Sequence, residues 1–71
     1  MGRFQSTAAD AESLRLLAEI SADTAAVTAG AVEIIERGKV AERDAEELAY
    51  MAERGRHARA CVGRLLEREQ G

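Results

Sequence analysis

The chain contains no proline and no tryptophan, and one residue each of cysteine, histidine, tyrosine and phenylalanine. Each scarcity excludes something. Without proline, nothing in the chain forbids long uninterrupted helices. A single cysteine rules out an internal disulfide. One histidine and one cysteine fall short of the usual four-ligand zinc set, with only carboxylates to make up the number. No run approaches the roughly 18 apolar residues of a membrane span. The start, Met1-Gly2-Arg3-Phe4, lacks the apolar core of a secretory signal, so the expected compartment is cytoplasmic.

Helix formers fill the space these absences leave. Ala, Glu, Arg and Leu dominate, and 46% of the residues are apolar against 32% charged. Much of the apolar share is alanine, which buries little area. In 71 residues that makes a lone core marginal. With no disulfide available, oligomerisation or a larger partner is the expected remedy.

The fold class read from the pattern is all-α, an antiparallel two-helix hairpin, closing as a four-helix bundle in a homodimer. Residues 1–6 read as a flexible lead-in. Ser6 or Thr7 is the expected helix cap, with Asp10 in the first turn. The first helix is expected over about 7–37 and the turn at Gly38-Lys39, where glycine suits a left-handed cap. The second helix is expected over about 40–68. Residues 7–70 then form a single hairpin domain. Ser21-Ala22-Asp23-Thr24 is the one place where the first helix could break. The apolar phase persists across it, so continuity is expected.

Counted at about 100° per residue, the first helix puts Leu14, Leu17, Ala31 and Ile35 on one side, with Ile20, Val27 and Ile34 beside them. Glu12, Arg15, Glu19, Asp23 and Glu33 fall opposite. In the second helix the main seam is Ala41, Ala45, Leu48, Ala52, Gly55, Val62 and Leu66, alternating four and three through Gly55 as in a heptad. Met51, Ala58 and Leu65 widen it. Arcs this broad suit two neighbours, so Leu14, Leu17, Ile20, Val27, Ala31, Ile34, Ile35, Leu48, Met51, Ala52, Gly55, Ala58, Val62, Leu65 and Leu66 are the expected core and self-association residues.

The stretch RGRHARACVGR, residues 54–64, concentrates the remaining chemistry. His57 and Cys61 are four apart, hence neighbours on one helix face. No orienting third residue is evident from sequence, and His57 falls on the outer side with Cys61 at the border, so no catalytic pair is expected. Glu53 and His57 face outward at the wrong spacing for a di-metal bundle, so no metal or other cofactor is expected. Tyr50, Arg54, His57, Cys61 and Arg64 form instead a candidate partner surface. Arg59 falls at the seam edge, with Asp23 or Glu19 as its expected partner.

Charge is uneven. Residues 1–36 carry two basic and six acidic groups, and residues 53–71 carry five basic and three acidic. An antiparallel hairpin lays the acidic helix beside the basic end of the other. The net charge of −3 and the absence of aromatic residues among the arginines place nucleic-acid binding through that basic end third among the functions considered. The leading expectation is a small non-enzymatic interaction module: an adaptor, regulator or assembly factor. Its partner would be itself or a larger protein, with no membrane and no small-molecule substrate implied. An antitoxin-like acidic regulator that folds on a larger protein is the second.

Overall fold

The computed structural model describes the backbone of residues 10–70 and the side chains of residues 10–68. The expected lead-in at residues 1–6, with its capping residues Ser6 and Thr7, lies outside the described residues. Two helices pack side by side: α1, Ala11–Arg37, and α2, Ala45–Gln70. The result is a rod 46 Å long and about 20 Å across.

Asp10 caps α1, a role the sequence pattern assigns to Ser6 or Thr7. Its backbone is extended, and its carboxylate accepts the Ser13 N–H at 2.8 Å. That bond satisfies one of the amide donors that a helix start leaves free. No break interrupts α1 at Ser21–Thr24. The helix stops at Gly38, which has φ 81° and donates its N–H to the carbonyls of Ile34 and Ile35 at 3.1 and 3.0 Å. A side chain at that left-handed position would crowd the following carbonyl, so glycine is the natural stop.

The connection is longer than the expected Gly38-Lys39 turn, and α2 begins at Ala45 rather than Val40. A 3-10 turn, Glu42–Asp44, intervenes. The cause is the Asp44 carboxylate, which accepts the Ala41 N–H at 2.7 Å and the Arg37 guanidinium at 2.5 Å. This local bond competes with continuous helix, as aspartate side chains commonly do. It also ties the end of α1 to the start of α2. At the far end α2 runs to Gln70, two residues past the expected stop.

The helices meet along positions that alternate three and four apart. In α1 the row is Ser13, Leu16, Ile20, Asp23, Val27, Gly30, Ile34 and Arg37. In α2 it is Glu47, Met51, Arg54, Ala58, Cys61 and Leu65. Every one of these is buried or half-buried. Gly30 marks the closest approach: a Cβ there would stand 2.6 Å from Glu47 Oε2 and 2.7 Å from Met51 Sδ. Among the described residues, only one large side chain, Leu16 at 1% exposure, is fully buried.

Within one hairpin this contact row holds only part of the expected core and self-association set. The main seam read from α2 is not what faces α1. Leu48, Ala52, Val62 and Leu66 are exposed, as are Leu14, Leu17 and Ile35 of α1. The residues expected only to widen the seam, Met51, Ala58 and Leu65, make the contact instead. Both rows have heptad spacing and differ by one residue, so periodicity alone could not choose between them. The polar pairs described below decide it. They form only when Asp23, Arg54 and Cys61 turn inward.

A second row lies one residue beyond the first. It runs Leu14, Leu17, Ser21, Thr24, Thr28, Ala31 and Ile35 in α1, and Leu48, Ala52, Gly55, Arg59, Val62 and Leu66 in α2. One residue turns a helix by about 100°. Two right-handed helices running antiparallel therefore swing their second rows to the same side of the hairpin. The molecule has one exposed apolar side. On the opposite side stand Glu12, Arg15, Glu19, Glu33, Tyr50, Glu53, His57 and Arg64.

Candidate functional site

Charged pairs bridge the helices along their whole length. Arg68 bonds Asp10, and Arg64 bonds Glu12 at 3.2 Å. Arg54 bonds Asp23 at 2.6 Å, and Arg37 bonds Asp44 at the turn. The acidic helix lies beside the basic end of its partner, as the charge distribution leads one to expect. The individual partners differ from expectation. Arg59 takes neither Asp23 nor Glu19: Arg54 and His57 hold Asp23, and Arg15 holds Glu19.

At mid-length these pairs converge on a five-residue cluster. Asp23, placed by helix periodicity on the outer side, is 3% exposed. Its Oδ1 accepts Arg54 Nε–H at 2.6 Å, and its Oδ2 lies 2.6 Å from His57 Nδ1. A carboxylate at that distance assigns a proton to Nδ1 and turns Nε2 toward the far side of the ring. The far side of the ring faces Glu19 Oε1 at 3.3 Å and Cys61 Sγ at 4.0 Å. Cys61 completes the triangle, its thiol pointing at Glu19 Oε1 from 3.7 Å. The other oxygen of Glu19 is occupied by Arg15, which also bonds Glu12.

The electrostatics follow from these contacts. The His57 hydrogen bond, then the Arg54 guanidinium, hold the Asp23 carboxyl below its ordinary value. Reciprocally, the bond to Asp23 raises Arg54. Burial and the neighbouring Glu19 carboxylate push the Cys61 thiol up. A thiol raised in this way is a poor nucleophile, because the thiolate is the reactive form. Cys61, His57 and Asp23 are arranged in the order of a nucleophile, base and orienting acid. They lie mid-helix, however, where backbone N–H groups are consumed by the helix and no oxyanion donor is free.

The structure redistributes the candidate partner surface. Arg54 and Cys61 belong to the helix contact, Cys61 at 4% exposure. His57 is half exposed and bridges the two helices rather than simply facing out. Tyr50 and Arg64 remain exposed. The Arg54 guanidinium stacks 5.5 Å from the Tyr50 ring and donates to its hydroxyl at 2.9 Å. Around the cluster a shallow groove is lined by Glu19, Ala22, Asp23, Glu53, Arg54 and His57. Glu19 and Asp23, expected only as partners of Arg59, are the site residues that periodicity placed on the outer side. Charge on the first helix at the level of His57 was the available signal.

Among the described residues, Glu19, His57 and Cys61 are the group whose donor atoms lie close enough together to hold an ion. Among the same residues, no helix is long and apolar enough to cross a membrane. Compared with protein-family models, with curated proteins and with solved structures, the chain matches none.

Proposed function

We propose that this chain is a small non-enzymatic interaction module that works as a homodimer, two hairpins joining through their apolar sides into a four-helix bundle. The observation that carries this reading is the inverted burial of the hairpin. Leu14, Leu17, Val32, Ile35, Leu48, Val62 and Leu66 are all at least 40% exposed, while among the described residues Leu16 is the only large aliphatic side chain fully buried. Fully burying one such side chain is worth about 1.5–3 kcal/mol, so the larger hydrophobic reserve lies outside the hairpin.

The layout of that reserve favours a second copy as its cover. In the antiparallel pair Leu14 and Leu17 stand level with Val62 and Leu66. Val32 and Ile35 stand level with Ala45 and Leu48. Between them most of the face is small, Ser21, Thr24, Ala25 and Thr28 opposite Ala52 and Gly55, with the exposed Arg59 one turn from Gly55. Bulky ends thus flank a small centre, and the pattern is nearly symmetric about Thr24 and Gly55. A two-fold axis through that centre lays each bulky end on the other and lets the backbones approach in the middle. Self-complementarity of this kind is what an isologous interface requires.

The adaptor, regulator or assembly role then belongs to surfaces the bundle leaves free. Those are the polar sides bearing Tyr50, His57 and Arg64. The raised thiol of Cys61 and the lack of free oxyanion donors support the non-enzymatic part of the reading.

Sedimentation equilibrium over a wide concentration range tests it. A compact two-chain species is the expected result. A loosely folded monomer that becomes ordered only on a larger protein would overturn it in favour of the antitoxin-like alternative. A species that forms only with nucleic acid, and dissolves steeply with salt, would overturn it in favour of nucleic-acid binding.

A further inference from the structure

We propose that Glu19, His57 and Cys61 form a binding site for a borderline divalent metal ion of the zinc type, which clamps α1 to α2 on the polar side of the hairpin. Glu19 comes from α1, and His57 and Cys61 come from successive turns of α2. The three donor atoms are Glu19 Oε1, His57 Nε2 and Cys61 Sγ. Their separations are 3.3 Å for nitrogen to oxygen, 3.7 Å for sulfur to oxygen and 4.0 Å for sulfur to nitrogen.

These distances match a tetrahedral ion. With Zn–O and Zn–N near 2.0 Å and Zn–S near 2.3 Å, tetrahedral ligands stand about 3.3 Å apart for N and O, and about 3.5 Å apart for S and either O or N. Glu19 and His57 are already in place, and the sulfur has to close by a few tenths of an ångström. On binding, the thiol proton leaves to solvent and Sγ coordinates as the thiolate.

The surroundings are those of a supported ligand set. Asp23 occupies Nδ1 of His57, which fixes the tautomer and aims Nε2 at the site. Arg54 holds Asp23 in turn, and Arg15 holds the second oxygen of Glu19. Glu19 Oε1 and His57 Nε2 face each other at 3.3 Å, and a bound cation would take the place of any proton on Nε2 between them. The mixed thiolate, imidazole and carboxylate set selects zinc or cobalt over magnesium and calcium, which prefer oxygen throughout. Both Glu19 and His57 are partly exposed, so a fourth, open position faces solvent.

The site does not depend on the dimer, because it opens on the side away from the apolar face. The test is titration of the full chain with Co²⁺, followed by displacement with Zn²⁺. The expected result is a thiolate-to-cobalt charge-transfer band that saturates at one ion per chain and disappears on adding zinc. Cys61→Ser should abolish the band while far-ultraviolet circular dichroism shows the helices intact. Glu19→Gln and Asp23→Asn should each weaken binding, the latter about 10–100-fold as an orienting partner.

Several results would overturn the site. One is no thiolate band. Another is saturation at half an ion per chain, which would place the ion between copies. A third is a zinc-induced rise in melting temperature that persists in Cys61→Ser. Sedimentation with and without a chelator separates this outcome from any failure of the dimer.

Discussion

Leu16 and Leu17 are adjacent in sequence and fall on the two different rows, so truncating each separates the two interfaces. Leu16 is 1% exposed between the helices; Leu17 is 49% exposed on the apolar side. Leu16→Ala should cost about 2–5 kcal/mol, as buried leucine truncations do, whatever the association state. In a hairpin with so small a core, that is enough to unfold much of the population. Leu17→Ala removes a side chain that the hairpin only half covers, worth about 1 kcal/mol within one chain. In the proposed dimer a second copy covers the remaining half, about 1 kcal/mol more per chain and about 2 kcal/mol per dimer, so the truncation should weaken association about 30-fold. The assay pairs denaturant unfolding at fixed concentration with sedimentation equilibrium across a concentration series. Leu16→Ala should shift the unfolding midpoint, and Leu17→Ala should shift the dissociation constant. An unchanged dissociation constant in Leu17→Ala, or equal unfolding penalties for both variants, would refute the assignment of the two rows.

Gly55 has open space around its missing Cβ in a single hairpin. Gly55→Ala should therefore stabilise the monomer by about 1 kcal/mol through helix propensity while weakening the dimer, a split visible in melting curves at low and high concentration. Gly38→Ala should destabilise by about 1–2 kcal/mol in thermal unfolding, because alanine at φ 81° is strained. Acid should unfold the hairpin. The carboxyls of Asp23 and Asp44 are held below their ordinary value of 3.8, by His57 and Arg54 in one case and chiefly by the Ala41 N–H in the other. A depressed native value means the stabilisation is complete above the unfolded value and lost as pH falls through the native one. Circular dichroism should accordingly show constant stability down to about pH 4 and a decline below it, blunted in Asp23→Asn.

Much of the architecture is legible from composition and period. The missing proline, the αL signal at Gly38 and the unbroken phase through Ser21–Thr24 yield two long helices and their turn. What period could not supply was the choice between rows one residue apart. A hydrophobicity count favours Leu48, Val62 and Leu66 as the seam, since they are the larger apolar side chains. The chain turns them outward because Asp23, Arg54 and His57 satisfy one another only across the helix contact. Charge complementarity was readable in bulk, yet its pairing was not. Arg59 and Arg54 sit on neighbouring turns, and only three-dimensional register puts Asp23 against the latter. The start of α2 was misplaced for a similar reason: Asp44 bonds back to Ala41, a local alternative to helix that a count of helix formers does not register.

The two rows have different physical consequences, and that difference argues for their division of labour. The inner row carries Asp23, Arg54, Glu47 and Cys61 among its aliphatic residues, so its contacts are directional. Polar groups in a contact contribute little net stability, but a mispaired register strands them unsatisfied. A slip of one turn between α1 and α2 would break the simultaneous contacts of Asp23 with Arg54 and His57, leaving a nearly buried carboxylate short of a donor. The inner row therefore specifies how the hairpin closes. The outer row, Arg59 apart, is apolar at its ends and small at its centre, so it is adhesive and weakly directional. Its geometry is inherited from the hairpin beneath it. A chain with those roles exchanged would associate through charged pairs exposed to salt screening and would fold through an unregistered apolar seam. Placing the polar pairs inside the hairpin lets them fix its register, and in the proposed dimer the outer faces would inherit their geometry from it.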